Sequence, residues 1–178
     1  MKAFVFGVLN HAGFPHVALL ALLITALLVA NTSGARAETS PVTAECIIDA
    51  AKLQNFPPHI ILGLLKTEGG HLGSETPNTN GSVDLGPMQI NNRVWVPILA
   101  RIYFNGNYRA AYLALRDHGC YSVYIGAWIF RQYLDEAKGN YAEAVGFYNS
   151  HNERAKHAYQ MRFAQNFKQL FGPMMRQN

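Results

Sequence analysis

The sequence has few charged residues and lacks the common signatures of metal and nucleic-acid chemistry. Charged side chains make up 15% of its 178 residues, and the basic ones are scattered singly, without a Lys/Arg block or a basic–aromatic stripe. That pattern gives no support to nucleic-acid binding. None of the seven histidines forms an HExxH motif or pairs with a nucleophile signature, and no CxxC pair is present. We therefore predict no metal site, no cofactor and no Ser/His/Asp centre.

A run long enough to span a membrane is also missing, although the N-terminus is apolar. Lys2 supplies a positive end, and the apolar run from Val17 to Ala30 is shorter than the roughly 17–25 residues that cross a bilayer. Ala35-Arg36-Ala37 fits an A-x-A cleavage site. The pattern favours a secretory signal peptide over residues 1–37 and a mature periplasmic domain over residues 38–178, and an uncleaved membrane anchor is the alternative. Cleavage would lower the net charge from +4 to about +2.

Only two cysteines are present, Cys46 and Cys120, and both follow the predicted cleavage site. In an oxidising compartment an even pair favours one disulfide, and two buried free thiols are the alternative. A bond between them would close a loop of about 75 residues, which the chain-entropy model values at about 4 kcal/mol of stability.

Helical periodicity dominates the mature chain, and one polar stretch interrupts it. Apolar spacing predicts a helix over 44–53, and after two prolines the run HIILGLLKTE predicts a second helix that ends at Gly69-Gly70. Residues 74–87 are rich in turn-forming residues, and Asn80-Gly81 favours a tight hairpin. From Ile90 onward we predict further helices in short pieces, at roughly 108–116, 120–137, 140–149 and 152–171. The predicted class is α+β, mostly α, with a small β-hairpin beside the second helix.

One carboxylate, Glu68, ends the apolar second helix. Neighbours such as Leu64 and Leu65 can desolvate it, and the helix C-terminus carries partial negative charge, so both effects raise its pKa. A carboxyl group that stays protonated near neutral pH can protonate a glycosidic oxygen, although an ordinary solvated glutamate is the alternative. Asp84 follows the Asn80-Gly81 turn and can fold back over a cleft from Glu68. Paired carboxylates of this kind are typical of glycosidases.

Three blocks, in order, carry a resemblance to a known family: LLKTEGG, NTNGSVDLGPMQIN and AVGFYNS, with GCYSVYIGAWI before the last. With these blocks the chain resembles the lysozyme-like superfamily, in particular the soluble lytic transglycosylase (SLT) domains associated with conjugation and type IV secretion systems. The resemblance covers roughly Cys46 to Phe171. It implies a lysozyme-like fold, a lyase activity on peptidoglycan without a cofactor, and components of a secretion or conjugation apparatus as further partners.

The resemblance also implies a reaction and its residues. Glu68 would protonate the β-1,4 glycosidic oxygen between N-acetylmuramic acid and N-acetylglucosamine. It would then take the proton of the muramoyl 6-hydroxyl, which closes a 1,6-anhydro ring. Tyr148 and Asn149 match the YN pair that lines the site in the family. Gln89 and Asn91 would contact an acetamido group of the substrate or support the hairpin.

Two residues depart from the family pattern, and a third leaves the reaction open. Gly69 stands where many relatives have serine, and His151 stands where glycine is usual. Asp84 also matches the acid that serves animal-type lysozymes as nucleophile or ion stabiliser. A hydrolytic muramidase that uses Glu68 and Asp84 is therefore the nearest alternative, and a non-catalytic peptidoglycan-binding module is the next. We favour the transglycosylase, in which Asp84 is a substrate-binding residue.

Three aromatic residues are further candidates. Trp95 could stack on a sugar ring, but its apolar context favours the core, and Trp128 lies within an apolar helix and is predicted to be core. Tyr159 lies in the last predicted helix, where the family often has a tyrosine that reaches the cleft, and a packing role is the equal alternative.

Overall fold

The computed structural model describes residues 39–175, which form seven α-helices and one small antiparallel sheet of three strands. The predicted signal peptide over residues 1–37 lies outside the described part. Among the described residues, no helix combines the length and apolarity that a membrane crossing requires. The mostly helical α+β class expected from the sequence is confirmed.

The first two helices begin and end where the sequence indicates. Helix α1 spans Ala44–Leu53, and the hydroxyl group of its N-cap, Thr43, accepts a hydrogen bond from the amide of Cys46. Helix α2 spans Pro58–Glu68, and proline suits the first position because the N–H that it lacks would have no partner within the helix. Gly69 ends α2 in the left-handed region at φ +67°, which glycine adopts without strain.

The polar stretch folds into the small sheet. Strand β1 (Glu75–Pro77) pairs antiparallel with β2 (Val83–Leu85), which confirms the predicted hairpin. A third strand, β3 (Ile90–Asn91), pairs with β2 so that Asp84 lies opposite Asn91. The expectation of helix from residue 90 onward is therefore wrong at its start, because two residues complete the sheet before the next helix begins.

The remaining helices of the described chain are α3 (Asn92–Tyr103), α4 (Tyr108–Asp117), α5 (Gly119–Glu136), α6 (Tyr141–Asn149) and α7 (Glu153–Met175). The last four match predicted segments closely, although α7 continues four residues beyond the expected end. The sequence does not indicate helix α3, which contains Pro97, a residue that usually breaks a helix.

Helix α5 is central, and packs against α1, α4 and α6, while α7 packs against α2 and α6. A disulfide joins Cys46 to Cys120, 74 positions apart, and ties α1 to α5, so the predicted bond is confirmed. Close approach of α7 to α2 depends on Gly63, where a β-carbon would lie only 2.7 Å from the ring of Phe163. That approach brings Tyr159, on α7, to the carboxyl end of α2.

Candidate active site

A cleft of about 440 Å³ contains the end of α2 and opens between the sheet and helices α3, α5 and α6. All six residues that the sequence singled out for substrate chemistry lie along it: Glu68, Asp84, Gln89, Asn91, Tyr148 and Asn149. A larger groove, of about 740 Å³, is lined mainly by apolar residues of α2, α6 and α7 and contains no carboxylate. The smaller cleft is therefore the candidate active site.

Glu68 lies at the carboxyl end of α2 and faces this cleft. Burial raises the pKa of Glu68 to about 7. The hydrogen bond from Tyr159 and the positive charge of Arg162 oppose this rise in pKa, and the negative charge of Asp84 adds to it. A carboxyl group with a pKa near 7 is available both as an acid and, once ionised, as a base at neutral pH.

Tyr159 is fully buried on α7, and its hydroxyl group donates a hydrogen bond to Oε1 of Glu68. Burial raises the pKa of Tyr159 well above its usual value, so the hydroxyl group stays a donor. A second contact joins the same helices, because Asn166 Nδ2 donates to Thr67 Oγ1 at 3.2 Å. Of the two roles predicted for Tyr159, packing is confirmed: the side chain is buried and does not line the cleft, but it contacts the acid from within the protein.

Tyr148 lies near the end of α6, and its hydroxyl group donates to the carbonyl oxygen of Met88 at 3.2 Å. Burial raises the pKa of Tyr148 well above its usual value, and negative charge on Glu68 and Asp84 raises it further. The hydroxyl group therefore remains neutral beside the acid. Asn149, the last residue of α6, is exposed at the edge of the cleft.

Asp84 is held in place by a network of amides and hydroxyl groups. Asn91 Nδ2 donates to Asp84 Oδ1 and to Ser82 Oγ, each at 2.8 Å. Asn91 Oδ1 accepts the backbone amide of Arg93 at 3.1 Å and caps α3. The buried hydroxyl group of Ser82 also donates to Asn80 Oδ1 at 2.7 Å. Asn91 therefore positions Asp84, and the polar atoms of its side chain all have partners within the protein.

Gln89 supports the loop that carries it. Its Nε2 donates to the carbonyl oxygen of Gly86 at 2.9 Å and to Ser74 Oγ at 3.1 Å. The backbone of Gln89 is left-handed, with φ +48°, a conformation that is uncommon for residues other than glycine. Both hydrogens of the amide are thus used in the loop. Its Oε1 has no protein partner among the described residues, which leaves one acceptor for a ligand.

No family model matches this chain, and neither does any curated protein.

Further aromatic and apolar residues line the cleft. Trp95, a candidate for sugar stacking that the sequence favours as core, lies between the core and the cleft, with its ring 5.5 Å from that of Trp128 in an edge-to-face contact. Trp128 is half-buried against the core. Tyr133 and Ile129, four positions apart on α5, also line the cleft.

Two small residues on one face of α5, Ser122 and Gly126, allow that face to pack against the loop before β3. A β-carbon at Gly126 would come within 2.5 Å of Met88 Cε, and Ser122 Oγ accepts the amide of Met88 at 3.3 Å. Ile129 and Tyr133 lie on the same face of α5, at helical spacing from Gly126. The small residues at 122 and 126 thus allow the close contact, and the larger ones beyond them reach the cleft.

The structure describes the surroundings of Gly69 and His151, the two residues that depart from the pattern that the sequence resembles. Gly69 is left-handed, so a serine in this backbone conformation would be strained. His151 lies in the turn after α6, stacks on Phe147 and forms a hydrogen bond with Glu136.

Within residues 39–175 there is no group of three or more His, Cys, Asp or Glu side chains suited to a metal ion.

Proposed function

We propose that the protein is a peptidoglycan lytic transglycosylase with a lysozyme-like fold. It would cleave the β-1,4 bond between N-acetylmuramic acid and N-acetylglucosamine and release 1,6-anhydromuramoyl products. The observation that carries the proposal is Glu68, a carboxyl group whose pKa is about 7, in a cleft that it shares with Asp84. An exported enzyme of this kind would open the wall locally for a secretion or conjugation apparatus.

Glu68 is suited to both proton transfers of this reaction. In the first step its protonated form gives the proton to the bridging oxygen, the bond from that oxygen to C1 of the muramic acid breaks, and positive charge develops on the ring. In the second step the Glu68 carboxylate takes the proton of the 6-hydroxyl group while O6 bonds to C1. The acid regains its proton, and no water is consumed.

The two walls of the cleft fit the two kinds of surface on a sugar. The hairpin wall offers amide, hydroxyl and carboxylate groups from Asn78, Thr79 and Asp84, which match hydroxyl and acetamido groups. The helical wall offers the rings of Trp95 and Tyr133, and aromatic rings pack against the apolar faces of pyranoses. This division supports a glycan as the ligand.

A hydrolytic muramidase is the second candidate, and Asp84 is the observation that favours it. Its charge acts on Glu68, as expected for two carboxylates that flank one sugar bond. However, Asn91 holds one oxygen of Asp84, which suits a fixed charge that stabilises an oxocarbenium ion. We favour the transglycosylase because the sequence blocks around Glu68 and Tyr148 resemble that group, several members of which carry an acid at the place of Asp84.

A non-catalytic binding module is the third candidate. Keeping a carboxyl group desolvated costs stability at neutral pH, and a protein that only binds glycan gains nothing from this cost.

The decisive variant is Glu68→Gln, because the amide preserves the shape and the acceptor for Tyr159 but cannot donate a proton to the glycan. In a zymogram with purified peptidoglycan we expect activity to fall by about 10²–10⁴-fold. Glu153→Gln, on the exposed start of α7, is the matched control. Equal clearing by Glu68→Gln and the wild type would exclude the assignment.

A further inference from the structure

We infer that Tyr133 is a sugar-contact residue of the cleft and that His151, at the turn between α6 and α7, is the residue that positions it. The inference rests on the proposed function and identifies a substrate contact in the same cleft. His151 stands where glycine is usual in the pattern that the sequence resembles, so the contact would distinguish this chain within that pattern.

Tyr133 has the surroundings of a ligand-contact residue. It lies in the last turn of α5, is half-buried, and lines the cleft together with Glu68 and Tyr148. Its ring meets the ring of Tyr148 edge-to-face, with centroids 6.5 Å apart and planes at 80°. Among the described residues its hydroxyl group has no hydrogen-bond partner, so an apolar ring face and a free polar group are both available to a ligand. Burial raises the pKa of Tyr133, which keeps that group a donor.

His151 contacts the ring of Tyr133. The two rings meet edge-to-face with centroids 5.7 Å apart and planes at 64°. The imidazole itself is held twice: it stacks on Phe147 at 4.4 Å with planes at 14°, and its Nε2 lies 2.9 Å from Glu136 Oε1. These contacts join the ends of α5 and α6, so His151 forms part of an ordered aromatic row that continues through Tyr133 to Tyr148.

A role in stability alone does not explain this arrangement. His151 is exposed and is not part of the buried core, so the imidazole contributes little apolar burial. Its aromatic neighbours are Phe147 and Tyr133, and Tyr133 lines the cleft. Without the imidazole, the Tyr133 ring loses one of its two aromatic neighbours and gains rotational freedom, and a ligand must then order it on binding. We therefore expect His151 to affect glycan affinity more than the rate of proton transfer.

The test measures binding separately from chemistry. In a Glu68→Gln background, which binds without turnover, the Kd of a purified peptidoglycan tetrasaccharide is measured by calorimetry. We expect His151→Ala to raise the Kd by about threefold to tenfold, the range that an aromatic pair contributes. His151→Phe, which keeps an aromatic ring, should restore most of the affinity, whereas His151→Gln, which keeps a polar group for Glu136, should not. His157→Ala, an exposed histidine on α7, is the matched control and should leave the Kd unchanged.

A double-variant cycle identifies the residue through which His151 acts. If His151 works by positioning Tyr133, His151→Ala should add little to the loss in Tyr133→Ala. In the active protein, His151→Ala should raise KM more than it lowers kcat. Unchanged affinity in His151→Ala, or a loss that adds fully to that of Tyr133→Ala, would overturn the inference. A failure of the proposed function is distinct, because the wild-type protein would then release no anhydromuropeptides from peptidoglycan, whatever the Kd of the His151→Ala variant.

Discussion

Glu68→Gln should stabilise the folded protein, and the gain should depend on pH. The folded state raises the pKa of Glu68 from 4.5 to about 7, so it binds this proton more tightly than the unfolded chain does. The contribution of Glu68 to stability is therefore fully present below about pH 4.5 and is lost as the pH rises to about 7. At 1.36 kcal/mol per pKa unit, the loss is about 3 kcal/mol. Glutamine carries no titrating proton and escapes this loss.

The assay is urea unfolding of the wild type and Glu68→Gln at about pH 4 and about pH 9. The difference in free energy of unfolding between the two proteins should grow by about 3 kcal/mol in favour of the variant from the lower to the higher pH. Glu153→Gln, on an exposed residue, should show no comparable gain. A difference that is the same at both pH values, or that favours the wild type at high pH, would refute the claim that burial keeps Glu68 protonated.

Three further variants test the neighbours of the acid and the disulfide. Tyr159→Phe removes the hydrogen bond that lowers the pKa of Glu68, so the high-pH limb of the kcat/KM profile should move up by about one unit; no shift, or a downward one, would contradict the contact. Asp84→Asn removes a charge that raises the same pKa, so that limb should move down, and activity on peptidoglycan should fall by less than in Glu68→Gln; complete inactivity would instead favour the lysozyme mechanism. Replacement of Cys46 and Cys120 by alanine should lower the free energy of unfolding by about 4 kcal/mol, measured in urea, and a loss below about 1 kcal/mol would show that the cross-link matters little.

Features set by local sequence could be predicted. Gly69 ends α2 because a glycine adopts the left-handed conformation that closes a helix, and Asn80-Gly81 forms the turn that brings β2 back beside β1. These two signals are enough to predict that Asp84 returns toward Glu68. Both residues do line one cleft.

Features set by long-range packing could not be predicted. The apolar sequence around Trp95 favours the core, and only the folded structure shows that the residue also lines the cleft, against Trp128 of α5. In the sequence, Tyr133 is one more apolar position of a long helix. Its place beside the cleft follows from the close contact of Gly126 with Met88, which only the folded structure shows. The partners of Asn91, likewise, are distant enough along the chain that no pattern in MQIN indicates them.

The central claim is that the protein breaks a muramoyl glycosidic bond by internal ring closure at a site built around Glu68. The most direct test is to digest purified sacculi with the wild-type protein and to weigh the released muropeptides by mass spectrometry. The account predicts anhydromuropeptides, each lighter than its hydrolysed equivalent by the mass of one water molecule, and their loss in Glu68→Gln. Products with free reducing ends would contradict the account and establish a muramidase in its place.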